Sequence, residues 1–320
     1  FKQKTAYEIR KGDWSSDVCS SDLGVVRGQV DALAAHCPDV APTDVCSAQQ
    51  LVLEVTDPDG ARRYLDEHDA RPGDAIIGVG MAGGYSTINV NVDESLEEVA
   101  VLTGSIPAHG HDTGPDLLKA TRDANPWMGR TRFGGGGLIP LRRTYDRFTA
   151  PGVALIGDAA CQVMPGHGSG IGFGLMAGKV LAEAVGGRDD PGDPDVLWRY
   201  QATYLREFGP ILAGYDAIRR MSVRLGPDGV EELFASGIFS PALVLPGLEQ
   251  KLGMLGPAEA LAAARSLATR PHLARVVVPA LAAMGTARGL YAAYPRSRSE
   301  RAFRAWSRSA RAALPSQGAA

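Results

Sequence analysis

The residues best suited to chemistry lie between positions 151 and 187, PGVALIGDAACQVMPGHGSGIGFGLMAGKVLAEAVGG. Val153–Ile156 is a continuous apolar run, the pattern of a strand buried on both faces in a parallel sheet. Gly157, Asp158 and Ala159 end it, and a loop containing Pro165, Gly166, Gly168, Ser169 and Gly170 follows. Ile171–Val185 then reads as a helix with small residues (Gly174, Ala177, Gly178, Ala182) along one side. A carboxylate at the tip of such a strand sits where open α/β sheets bind ligands, and it can accept hydrogen bonds from ligand hydroxyls. Glycines without a Cβ let backbone approach a flat ring. The start of the helix offers unpaired N–H groups and a positive dipole end, which stabilise negative charge on a ligand.

Other reactive side chains group around this segment. His167 lies between two loop glycines, where it faces the ligand as a proton donor or is an ordinary surface histidine. Cys161 follows the Asp158 turn and lines the substrate side or fills a small buried space. Tyr85 and Thr87 begin an alternating segment, with Tyr85 a substrate contact or a cross-strand aromatic. Arg142 and Arg143 after Pro140 meet a phosphate or NADPH or, more simply, are solvated strand-end charges. His109 and His111 lack a third ligand nearby, so no metal is expected. Gly134 to Gly137 fail the strand–loop–helix test for a phosphate cradle because Pro140 follows so closely. A flexible turn into a short strand, Leu138–Leu141, is the reading adopted. The acidic run Asp93–Glu98 reads as a solvated turn.

The elements that must position these residues follow from patterning. Ala48–Thr56, Ala75–Gly80, Tyr85–Val92 and Glu97–Thr103 read as strands of an antiparallel sheet. Asp57-Pro58-Asp59-Gly60 reads as a turn. Asp116–Asn125 reads as a helix stopped by Pro126. Beyond Asp195 the chain is helical, over Val196–Ile218, Gly229–Ser236, Pro257–Thr269 and Leu273–Tyr294. The stretch Pro295–Leu314 sets six arginines around Phe303 and Trp306. It is either a basic helix resting on an anionic membrane or, the reading preferred, a terminal helix packing its aromatic face on the body.

The whole chain has 320 residues, 45% hydrophobic, with 33 Lys+Arg against 36 Asp+Glu. That balance gives no electrostatic footprint for nucleic acid. No window approaches the ~20 apolar residues of a membrane span. Four cysteines without a C-x-x-C pair signal neither a disulfide framework nor a zinc site, and a cytoplasmic location, with membrane association as a variant, is expected. Three of the six lysines fall in residues 1–23; the remainder favours Arg, Ala, Gly and Pro, as in a GC-rich bacterial genome. Residues 1–23 resemble a translated sequencing-library adapter and are set aside from the fold. The authentic chain is then expected to begin near Gly24, truncated at its N-terminus.

The order strand–Gly157-Asp158-Ala159–loop–Pro165-x-x-Gly168-x-Gly170–helix resembles the second FAD-binding motif of the two-domain flavoproteins related to aromatic hydroxylases. Its wording, with Cys161 and the later helices, most resembles the geranylgeranyl reductase family. Gly83-Gly84-Tyr85 before a strand resembles the start of that family's aromatic substrate-cavity motif, but Thr87 and Asn89 stand where the family has Trp and Phe. The resemblance implies FAD held by Gly157, Asp158, Ala159, Pro165, Gly166, Gly168, Ser169, Gly170 and Ile171. It implies a fold of class α/β (α+β overall): an incomplete Rossmann-like FAD-binding domain, an inserted antiparallel substrate sheet and a C-terminal helical region. The expected division is 24–47 and 142–190 for FAD binding, 48–141 for the sheet and 191–320 for the helices. The family's opening G-x-G-x-x-G unit has no counterpart here. The implied activity is reduction of isoprenoid carbon–carbon double bonds by reduced flavin, fed by NAD(P)H or another donor, on a small apolar substrate. A flavin monooxygenase or halogenase is the alternative, and an inactive fragment or non-catalytic binding module a further one.

Overall fold

The computed structural model describes residues 31–80, 85–239, 241–253 and 255–314. The adapter-like segment, Gly24, Gly83 and Gly84 lie outside them.

After a single helical turn at Asp31–Ala34, five strands form an antiparallel sheet in the order β2-β3-β4-β1-β5. They are β1 Val45–Val55, β2 Ala75–Val79, β3 Ser86–Val92, β4 Glu98–Ser105 and β5 Met128–Pro140. Alternation assigns the faces. Leu53, Val90, Val92, Val99 and Val101 are buried with Ala61 and Leu65 of helix α1 (Pro58–Glu67) and Leu118 of helix α2 (Gly114–Ala124). The register places Cys46, Ala48, Gln50, Thr87, Asn89 and Leu102 on the opposite face.

Three local expectations are corrected here. Asp57-Pro58-Asp59-Gly60 opens α1 instead of making a turn. Asp57 caps it by accepting from the Asp59 N–H, and Pro58 occupies a first-turn position where no N–H is needed. The four glycines are the middle of β5, hydrogen-bonded along β1, and not a flexible turn. A Cβ on Gly134 would lie 2.2 Å from the Gln50 carbonyl oxygen, and its φ of +135° suits glycine alone. The glycines there allow strand contact. Finally, Val153–Ala154 (β7) is a two-residue strand paired antiparallel with Thr149–Ala150 (β6), and Ile156 is exposed. All strand pairs among the described residues are antiparallel. An apolar run reports burial and leaves the strand's partners unspecified.

The remaining helices are α3 Ile171–Val185, α4 Pro194–Ala235, α5 Pro241–Leu248, α6 Pro257–Ala268, α7 Pro271–Ala292 and α8 Glu300–Ala313. α4 breaks at Gly226, just before Pro227. By length and composition α7 is able to cross a membrane, contrary to the sequence expectation. In the fold, Leu273, Val277, Met284, Ala287 and Tyr291 of α7 are buried in the core they share with α4. α8 buries Phe303, Trp306 and Ala310 and turns its arginines outward. The Trp306 indole N–H donates to the Leu290 carbonyl at 2.8 Å, so α8 packs its aromatic face on the body.

Arg142 and Arg143 are also corrected: they are 1% and 4% exposed, not solvated. The Arg142 guanidinium lies 4.3 Å from the Tyr145 ring centroid. Arg143 pairs with Asp146 and donates to the Tyr291 hydroxyl. A second buried ionic group joins sheet to helices. Arg219 meets Asp44 at 2.7 Å and Asp216 at 3.1 Å, and Arg220 meets the same two acids at 2.7 and 3.0 Å.

Candidate functional site

Gly157–Ala160 forms one tight 3-10 turn, entered through Gly157 at φ +62°. Gln162, fully buried, fixes it. Its side-chain oxygen accepts from the Gly157 N–H at 2.7 Å, and its amide donates to the Tyr200 hydroxyl at 3.1 Å. Tyr200 in turn donates to the Leu155 carbonyl. Neither residue stood out in the sequence, because their part in the site depends on α4 folding back beside the turn.

The turn presents Asp158 at the surface. No described residue donates a hydrogen bond to its carboxylate, while packing on its inner side raises its pKa. A Cβ on Gly170 would lie 3.2 Å from Asp158 Oδ1, so the glycine admits the carboxylate beside the start of α3. That start has no capping side chain. Its N–H groups are therefore available beside the acid. Pro165 is buried, and the Met164 N–H donates to the Ser169 carbonyl while the Gly168 N–H donates to the Met164 carbonyl, closing the loop. Ile171 is 82% exposed and Leu175 71% exposed, whereas Phe173, Ala177 and Val180 on the other side of α3 are buried.

The loop touches the sheet. A Cβ on Gly168 would meet Ile139 at 3.6 Å and Leu141 at 3.8 Å. Tyr85 packs in the same small cluster, with Cys46, Ile106, Leu141 and Ile139. The structure thus brings Tyr85 to the loop through the end of β5. Burial pushes the Tyr85 hydroxyl pKa up, with the nearby Arg219 charge opposing it. Burial likewise pushes the Cys46 thiol up to about 12. Thr87 lies on the same open sheet face and donates to Asn89 Oδ1 at 2.8 Å. Cys161 is different: it is fully buried in the main core, at φ +54°. His167 is exposed, with Nε2 3.3 Å from the Gly247 carbonyl oxygen. Burial of its inner side lowers its pKa and so favours a neutral ring, while the Gly247 contact opposes that shift. No cluster of three or more His, Cys, Asp or Glu side chains suited to a metal occurs among the described residues.

No protein-family model matches the chain. A digeranylgeranylglycerophospholipid reductase of Sulfolobus acidocaldarius is 25% identical over 273 residues, 81% of this chain and 55% of that protein. Digeranylgeranylglycerophospholipid reductase 2 of Methanopyrus kandleri is 28% identical over 201 residues, 58% of this chain and 46% of that one. The chain is related by descent to the geranylgeranyl reductases. It spans about half the length of these curated relatives. A geranylgeranyl bacteriochlorophyll reductase-like protein from Thermoplasma acidophilum superposes with a TM-score of 0.54 at 17% identity, over 79% of this chain and 58% of that one. The chain therefore shares the mixed α/β fold of that geranylgeranyl reductase-like protein. The named relatives are archaeal and lend the expected bacterial source no support.

Proposed function

We propose that the chain carries the flavin loop, substrate sheet and helical region of an FAD-dependent oxidoreductase that reduces carbon–carbon double bonds of isoprenoid chains. The observation that carries this reading is the unpartnered Asp158 carboxylate beside the uncapped start of α3, at the edge of an open sheet face. The residues fit the cofactor. Asp158 accepts hydrogen bonds from its hydroxyls. Gly157, Ala159, Pro165, Gly166, Gly168, Ser169, Gly170 and Ile171 form the loop against which the ring would lie. Bound FAD supplies the reducing electron pair, replenished by NAD(P)H or another donor.

The chain's own groups orient, shelter and protonate. The first N–H groups of α3 stabilise anionic charge at the ring edge. Tyr85 and Thr87, on the sheet, shape the substrate side, whereas Cys161, fully buried beneath the turn, packs the core instead of lining that side. Water, or His167 in its minor protonated form, supplies the proton that completes reduction. The substrate is a small apolar molecule, met in the cytoplasm or at a membrane surface toward which the outward arginines of α8 face.

The test is flavin loading. The chain joined to a complete opening FAD-binding unit, purified and titrated with FAD, should quench flavin fluorescence, and Asp158→Ala should weaken retention markedly. Loaded protein given reductant and a geranylgeranyl lipid should yield a product two mass units heavier per double bond, without oxygen uptake. Protein that cannot be loaded, or whose retention ignores Asp158→Ala, overturns the reading. Oxygen-dependent product would turn it to the monooxygenase.

A further inference from the structure

Away from the flavin loop, α4 and the turn after α7 border a hollow of about 460 Å³, open to solvent and lined by Arg199, Ala202, Thr203, Arg206, Glu207 and Arg296. Arg199, Thr203 and Arg206 recur along one face of α4, and Arg199 and Arg206 stand two helical turns apart, roughly 10 Å along the axis. Arg296 closes the hollow from the turn. That turn is fixed to α4 by three hydrogen bonds. The Trp198 indole N–H donates to the Pro295 carbonyl at 3.0 Å, Arg206 Nη1 to the Tyr294 carbonyl at 2.9 Å, and Arg298 Nε to Asp195 at 2.8 Å. These bonds hold the turn against α4 without a ligand.

The charge inside is unbalanced. Three guanidinium groups face one carboxylate, Glu207. Arg199 and Arg296 have no hydrogen-bond or ion-pair partner among the described residues, and Arg206 spends one N–H on a carbonyl. A net charge of about +2 matches a phosphate monoester, which carries about −1.5 to −2 at neutral pH. Guanidinium forks match phosphate oxygens in geometry. The volume exceeds a bare phosphate and leaves room for a short organic stem beside Ala202 and the Thr203 hydroxyl. The same turn runs directly into α8, and residues 288–314 carry seven arginines against a single acid, Glu300.

We propose that this hollow binds the phosphate group of a phosphate ester, held by Arg199, Arg206 and Arg296. The ester is either a soluble molecule or a phospholipid headgroup, and the inference does not depend on the flavin reading. The test is calorimetric titration of the flavin-free chain with glycerol 1-phosphate, beside co-sedimentation with vesicles of phosphatidic acid or of phosphatidylcholine alone. The double change Arg199→Gln/Arg296→Gln should weaken binding about tenfold or more. The pair Arg308→Gln/Arg311→Gln removes equal charge outside the hollow and should leave binding unchanged. Glu207→Gln should tighten it. All five substituted side chains are exposed, and unchanged melting curves would confirm that the variants fold. Saturable binding of glycerol 1-phosphate that the first pair destroys identifies a soluble ester. Binding confined to phosphatidic acid vesicles, and lost in that pair, identifies the headgroup. No binding to either, or equal loss in both arginine pairs, overturns the proposal.

Discussion

Asp158 meets two opposed demands. Under the proposed function its carboxylate must be ionised to accept hydrogen bonds from a ligand, yet burial on its inner side disfavours the charge and raises its pKa. A raised folded pKa means that the ionised form costs stability above that pKa, and the cost fades as pH falls through it. Asp158→Asn should therefore hold or slightly raise the melting temperature of the flavin-free protein at neutral pH while it lowers flavin retention. Parallel thermal melts and flavin-content measurements check this; a lower melting temperature with flavin retained would contradict it. The placement of the acid and its glycines between a turn and a helix start was legible in the sequence because it follows from residue type and order. Gln162 was not legible, since its partners are the Gly157 N–H and Tyr200, brought together by tertiary contact. The histidine in the loop was correctly located as a position, but its ring environment beside Gly247 depends on α5, far along the chain.

At the level of elements, periodicity carried what local rules could carry. The alternation of β1, β3 and β4 and the 3.6-residue spacing of α8 were visible because one face of each is buried. The glycine run of β5 was misread because glycine locally signals a break, whereas its reason here is the close approach of β1. Gly134→Ala should cost about 1–3 kcal/mol from left-handed backbone strain and crowding against Gln50. Urea denaturation of the variant measures that loss, and an unchanged midpoint would show that β5 is free to shift. α8 depends on its aromatic side. Trp306 is buried against Tyr291 and Tyr294 and donates to Leu290, so Trp306→Ala should cost about 3–5 kcal/mol. Replacing the outward Arg304 with Gln should leave the urea midpoint nearly unchanged.

Across the whole molecule, sheet and helices are held in one arrangement by Asp44, Asp216, Arg219 and Arg220. Asp44 sits just before β1, and the other three lie on α4. No sequence pattern announced this group, because Asp44 lies more than 170 residues before its partners on α4. It borders Cys46 and Tyr85, so it also supports the floor beside the loop. Burial alone would raise the Asp216 pKa, but Arg219, Arg220 and the Arg143 N–H outweigh it and hold that pKa below the ordinary carboxylate value. A depressed folded pKa contributes stability that is present above the unfolded value, about 3.9, and is lost as pH falls below it. Arg219→Met removes the more deeply buried of the two cations that reach both acids. It should cost about 3–5 kcal/mol at neutral pH, because buried carboxylates are left under-compensated. It should also raise the Asp216 pKa toward or above the unfolded value, so the variant should lose less stability than the parent between pH 5 and pH 3, at roughly the range where carboxylates titrate. Urea midpoints across that range decide the matter. Parallel acid slopes for parent and variant would mean that Asp216 keeps its low pKa without Arg219, and that the link between sheet and helices rests on Arg220 instead.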